Sequence, residues 1–90
     1  MGKVVAIYKM LMESPEQETQ PVEETLQKIV SGMTDVRLAE TKTEEVAFGL
    51  KALVCTFIVP DTGNWLDQLE SKFSTLQGVG SVEPLSVSLL

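Results

Sequence analysis

The 90-residue sequence predicts an α+β fold, with a four-stranded antiparallel sheet carrying two helices on one face. Three observations carry this expectation. Strand-like and helix-like runs follow one another in the order β-α-β-β-α-β. Two of the four strand-like runs are strongly apolar and two are not, which separates central from edge strands. Each β-α-β half crosses over right-handedly, so both helices fall on the same face.

Lys3 to Met10 reads as a strand, with Val4, Ala6, Tyr8 and Met10 on one face and Val5 and Ile7 on the other. Both faces are largely apolar, as in a strand covered on both sides or central in a sheet. Ser14 to Glu18 is a polar connection. Pro21 suits the first turn of a helix, and Glu23 and Glu24 follow where the helix dipole favours acids. Val22, Leu26, Ile29, Val30 and Met33 recur at helical spacing, with Gly32 as terminator. Val36 to Val46 is a weaker strand whose pattern turns wholly polar, which fits an exposed edge.

Ala52 to Val59 is the strongest strand, rich in β-favouring Val, Phe and Ile. Pro60-Asp61-Thr62-Gly63 breaks it. Asn64 is a good N-cap for a second helix, with Leu66, Leu69, Phe73 and Leu76 on its buried face. Gly78-Val79-Gly80 reads as the turn that ends it. Val82 to Leu89 is the last strand. Pro84 within it cannot donate to a ladder, so this strand belongs at an edge. The first and third strands are therefore central, which defines the ferredoxin-like plait. A chain of this length has room for one core, so residues 1–90 are read as a single domain.

Composition excludes several functions. The net charge of −6, with no histidine, argues against nucleic acid as a direct partner, because binding to phosphate rests on clustered Lys and Arg. Such an acidic chain suits a basic partner better. Cys55 is the only cysteine, which rules out an internal disulfide and a CxxC metal site, and its apolar setting reads as a buried, inert thiol. No charged-then-apolar leader precedes the first strand, so no signal peptide is expected. No apolar run approaches the ~18 residues of a membrane span, and the expected compartment is the cytoplasm.

Catalytic parts are also missing. Without histidine, Ser-His-Asp and Cys-His arrangements cannot form. Gly78-Val79-Gly80 lacks the lysine of a phosphate loop and follows a helix instead of opening one. The carboxylates of Glu13 to Glu24 and Glu40 to Glu45 read as a helix start and a solvated edge. No cofactor, metal or small-molecule substrate is expected. An RNA-binding plait would stack bases on aromatics of its central strands, but only Tyr8 and Phe57 are offered there.

The most informative stretch is Val46-Ala47-Phe48-Gly49-Leu50-Lys51-Ala52-Leu53, where a charged segment gives way to the strongest strand. Phe48 admits two readings. It folds back as core packing, as most phenylalanines do, or it stands out as a contact on a loop held by a rigid scaffold.

Four segments occur in order and at suitable spacing: Lys3-Val4-Val5-Ala6, Glu13-Ser14-Pro15-Glu16, Ala47 to Leu53, and Gly78-Val79. On these the chain resembles the archaeal elongation factor 1-beta family along essentially its whole length. The resemblance implies a ferredoxin-like plait and guanine-nucleotide exchange on the GTPase elongation factor 1-alpha. It also implies that no bond-making catalysis takes place. It makes Phe48 the aromatic that inserts into a pocket on the GTPase, Gly49 the point of close backbone approach, and Lys51 a partner-facing lysine.

Two departures from the family stand out. Relatives carry a basic residue beside the C-terminus, whereas this chain ends Ser86-Val87-Ser88-Leu89-Leu90. A lysine wedge therefore cannot be assigned, and Leu89 and Leu90 are left as an apolar end that contacts the partner. Leu11-Met12 stands as loop where relatives tend to have proline. The rival reading is a small dimeric regulatory plait that binds a metabolite along the polar edge Arg37 to Glu45. An exchange factor, unlike this rival, is expected to present Phe48 outward near the C-terminal strand end.

Overall fold

The computed structural model describes residues 2–33, 35–61 and 65–89, without the side chains of Ala47 and Leu66. Its elements are β1 (Lys3–Met12), α1 (Gln20–Ser31), β2 (Arg37–Glu45), β3 (Lys51–Pro60), α2 (Trp65–Phe73) and β4 (Val79–Leu89). The sheet runs β2-β3-β1-β4, with every neighbouring pair antiparallel. The apolar strands are central and the polar and proline-bearing strands are edges, as the sequence predicts. Both helices cover one face, which makes the fold the expected ferredoxin-like plait.

The core shows why these residues pair as they do. Ala6, Tyr8, Met10 and Met12 of β1 alternate inward, beside Leu53, Cys55, Phe57 and Val59 of β3. Val22, Leu26 and Val30 of α1 and Leu69 and Phe73 of α2 close over them. Tyr8, Phe57 and Phe73 form an aromatic cluster with ring centroids 5.0 to 6.0 Å apart. Each such side chain contributes about 1.5–3 kcal/mol by leaving water. The opposite face of β1, with Val5 and Ile7, is only half-buried. β1 is thus central in the sheet and is not covered on both sides.

α1 starts one residue before Pro21, with Thr19 at the N-cap position. The Thr19 hydroxyl makes no cap bond; its oxygen lies 2.9 Å from Thr43 Oγ1 on β2. Thr41 Oγ1 donates to Glu23 at 2.8 Å, a second tie between α1 and β2.

Several boundaries differ from expectation. β1 continues through Leu11 and Met12, which are strand residues and not loop. Met33 lies beyond the helix, because Gly32 and Met33 donate to Ile29 and Val30 in a tightened last turn. Gly32 keeps a right-handed conformation, so it ends α1 without a left-handed cap. Leu76 is buried, but in the turn after α2. β4 begins at Val79, so Gly80 is in the strand and only Gly78 turns, with φ of 87°. Gly80 fits there because a Cβ would come within 3.2 Å of Glu13 Cα. The proposed cap Asn64 and the preceding Gly63 lie outside the described residues, as does the Leu66 side chain.

Candidate functional site

Val46 to Leu50 joins the edge strand β2 to the central strand β3. The Val46 N–H donates to the Leu50 carbonyl at 2.9 Å, closing a tight loop. A closure this short needs left-handed backbone, and two successive residues supply it. Phe48 has φ 64° and ψ 26°, and Gly49 has φ 75°. Glycine adopts this region freely, whereas a phenylalanine there costs on the order of 1–2 kcal/mol. The Phe48 side chain is 92% exposed. The core-packing reading of Phe48 is therefore overturned. The loop holds a large apolar ring in water at a cost in both backbone strain and solvation.

The loop is braced from the β1–α1 connection. Gly49 faces Pro15, whose Cβ would lie 3.7 Å from an added Cβ. That is ordinary contact, so backbone conformation and not space calls for glycine. Lys51 Nζ lies 3.2 Å from Glu18 Oε2, at the root of the loop. Lys51 is thus partly buried and already paired within the chain. The α2–β4 turn joins the same end: the Glu13 N–H donates to the Gly78 carbonyl at 2.9 Å, and the Gln17 side chain packs over Gly78.

Beneath Phe48, on the face away from the helices, lies an open hollow of ≈ 350 Å³. Leu11, Val46, Leu50 and Phe48 give it an apolar wall, and Lys9 and Glu83 border it. Lys9 also approaches Glu44 at 4.0 Å. The site is an exposed aromatic over an apolar hollow with charges at the rim.

Leu89 lies elsewhere. Leu89 pairs with Val4, whereas Leu11, under the Phe48 loop, pairs with Ala52. The two rows are seven positions apart along β1, about 23 Å at the usual strand rise. Phe48 points outward as expected, but at the sheet end opposite to Leu89. Leu90 lies outside the described residues. Leu89 is 76% exposed, and Leu85 and Val87 on the same strand are 49% and 52% exposed. Leu85 and Val87 were not among the expected contact residues; their alternation with serine on an edge strand is the signal in the sequence that marks them.

Reactive groups are shielded. Burial, with the charge of Glu23 adding to it, pushes the Cys55 thiol up to about 12, as an inert thiol requires. Tyr8 is also pushed up to about 12, first by burial and then by its hydrogen bond to Glu70. Tyr8 and Phe57 are 1% and 0% exposed, so neither can stack on a nucleic-acid base. Trp65 is partly buried against the core. No group of three His, Cys, Asp or Glu side chains converges as a metal site among the described residues. No helix among them is long and apolar enough to cross a membrane.

The plait's distinctive surface feature is a strained, braced and exposed aromatic, and an apolar ring on a fixed loop is suited to a pocket on a partner. A family model described as the EF-1 guanine nucleotide exchange domain matches residues 5–90. The chain belongs to that family, and its role is guanine nucleotide exchange in translation elongation. It is 36% identical over 89 residues to elongation factor 1-beta of Methanoregula boonei, covering 99% of both chains. Identity to elongation factor 1-beta of Halobacterium salinarum is 36% over 90 residues, with both chains covered fully. For Haloarcula marismortui the identity is 39% over 82 residues, or 91% of each chain. Among solved structures, the C-terminal domain of the MgtC protein from Mycobacterium tuberculosis superposes with a TM-score of 0.63. That match covers 100% of this chain and 88% of the other at 13% identity, which shows the fold alone.

Proposed function

We propose that this chain, as one exchange domain acting in the cytoplasm, binds the GTPase elongation factor 1-alpha and speeds release of its GDP. The observation that carries the reading is the Phe48 loop. A ring 92% exposed on left-handed backbone is costly in the free protein and is compensated when a pocket takes it up. No bond is made or broken. Binding the empty GTPase more tightly than the loaded one weakens nucleotide affinity by the same factor, by linkage.

Phe48 is the anchor in this reading and Gly49 lets the partner's backbone approach. Lys51 contributes by keeping Glu18 while a second of its three N–H donors meets an acidic group of the partner, and Leu89 and Leu90 form an apolar second contact. The roughly 23 Å between the two contacts requires an extended interface along the sheet. A rigid plait can hold two such points at fixed separation, which suits it to prising a nucleotide site open. The acidic surface fits a GTPase that also holds tRNA.

The test is to load elongation factor 1-alpha with a fluorescent GDP analogue and follow its release with and without this protein. Acceleration at micromolar protein is expected, and none at all would sink the reading. The regulatory alternative does not account for an outward Phe48.

A further inference from the structure

The two edges of the sheet are guarded very differently. β2 carries Arg37, Glu40, Lys42, Glu44 and Glu45, the charges that commonly stop an edge strand from pairing with another chain. β4 carries one charged residue, Glu83. Pro84 follows it opposite Tyr8, and Leu85 is the extra residue of a bulge, since the next pair is Ser86 with Ile7. From Leu85 to Leu89 the strand has neither charge nor proline. Its other edge faces no strand among the described residues. Among the described residues, three of the four exposed large apolar side chains, Leu85, Val87 and Leu89, fall within these five positions.

The segment reads Leu85-Ser86-Val87-Ser88-Leu89, which is the same in both directions. That symmetry identifies an occupant. In an antiparallel pair with a second copy about a two-fold axis at Val87, Val87 faces Val87, Leu85 faces Leu89 and Ser86 faces Ser88. Every cross-strand pair then joins like with like, apolar on apolar and hydroxyl on hydroxyl, the pairing that stabilises sheets. A two-fold contact must be self-complementary in this sense. Electrostatics points the same way. Each copy carries −6, so two copies approach with least repulsion where neither has charge.

We propose that two copies of this chain associate through the outer edges of β4, joining their sheets into one eight-stranded sheet centred on Val87. Pro84 ends the pairing on one side, with the bulged Leu85 as its outermost member, which limits it to about five residues from each copy. So short a contact buries less than the ~1,200 Å² of a standard interface, so the dimer is weak and dependent on concentration. The proposal stands apart from the exchange reading, but pairing would cover Leu89, so dimer and GTPase would compete for that end of the sheet.

Sedimentation equilibrium from 10 µM to 1 mM tests it. The expected average mass rises from 9.9 kDa towards about twice that value. Val87→Lys should stay at the monomer mass with an unchanged melting temperature, whereas Phe48→Ala should associate like the parent. Cysteine substitution fixes the register. Val87→Cys should form a disulfide dimer with itself under mild oxidation, since directly opposed Cα atoms lie within bonding range. Leu85→Cys should do so only when mixed with Leu89→Cys. A parent that remains at 9.9 kDa at 1 mM overturns the proposal. So does a Val87→Lys protein that still associates, and so does Leu85→Cys crosslinking to itself as readily as Val87→Cys.

Discussion

Lys51 Nζ sits 3.2 Å from Glu18 Oε2, and this contact ties the root of the Phe48 loop to the β1–α1 connection. An exposed ion pair of this kind contributes about 0–1 kcal/mol to stability. Its importance is in holding the loop's position. Glu18→Gln should therefore leave the urea midpoint nearly unchanged while lowering exchange activity several-fold. A loss of more than about 2 kcal/mol in stability would show that the pair braces the fold itself.

Phe48 separates the roles of side chain and backbone. Phe48→Ala removes the ring but keeps a residue with a Cβ at φ 64°. Exchange should fall by roughly 30-fold or more, the loss of an anchor worth about 2 kcal/mol, with thermal stability within error of the parent. Phe48→Gly removes the left-handed strain as well and should stabilise the fold by up to about 1 kcal/mol while losing exchange to the same degree. Stopped-flow release of a fluorescent GDP analogue and thermal melts of the three proteins check both halves. If Phe48→Gly were less stable than Phe48→Ala, the strain assigned to this residue would be wrong.

The arrangement of strands was legible because burial differs between them. Residues 4–10 and 52–59 are apolar at nearly every position, while Arg37 to Glu45 and the proline-bearing strand are not, and that contrast orders the sheet. The strained state of Phe48 was not legible, because nothing local forces a phenylalanine to φ 64°. Closure by the Val46–Leu50 bond does so, and that bond forms only when β2 and β3 pair. The separation of Phe48 from Leu89 was available from topology. β3 and β4 both run antiparallel to β1, so their starts share one end of the sheet and β4 must finish at the other. The start of β4 at Val79 was hidden because two glycines suggest a turn. Gly80 is there for its close approach to Glu13, a contact between residues far apart in the chain.

Gly78 joins the α2–β4 turn to this end of the sheet and is left-handed at φ 87°. A Cβ there would also meet the end of the Gln17 side chain at 2.5 Å. Gln17 is flexible and can swing aside, so the lasting cost of Gly78→Ala is backbone strain of about 1–2 kcal/mol. Gly78→Asn should lose less, because asparagine tolerates left-handed backbone better. Urea unfolding of the two variants orders them, and an asparagine variant weaker than the alanine one would place the cost on crowding instead.

Stability should fall in alkali, and the two raised pKa values fix where. Cys55 ionises near 9.0 when unfolded and about 12 when folded, because burial and Glu23 oppose its thiolate. Tyr8 moves from 10.0 to about 12 through burial and Glu70. Below about pH 8 both groups are protonated in both states and contribute no pH dependence. Above it the unfolded chain loses protons that the folded chain retains, so rising pH favours unfolding. Each group adds a slope of at most about 1.4 kcal/mol per pH unit, Cys55 from about pH 9 and Tyr8 from about pH 10. Urea midpoints measured from pH 7.5 to 11 should be level at first and then decline. Cys55→Ala, though weaker throughout, should delay the decline to about pH 10, and Tyr8→Phe should remove its upper part. A midpoint level to pH 11 would mean that the thiol and the phenol are not shielded in solution as the core arrangement requires.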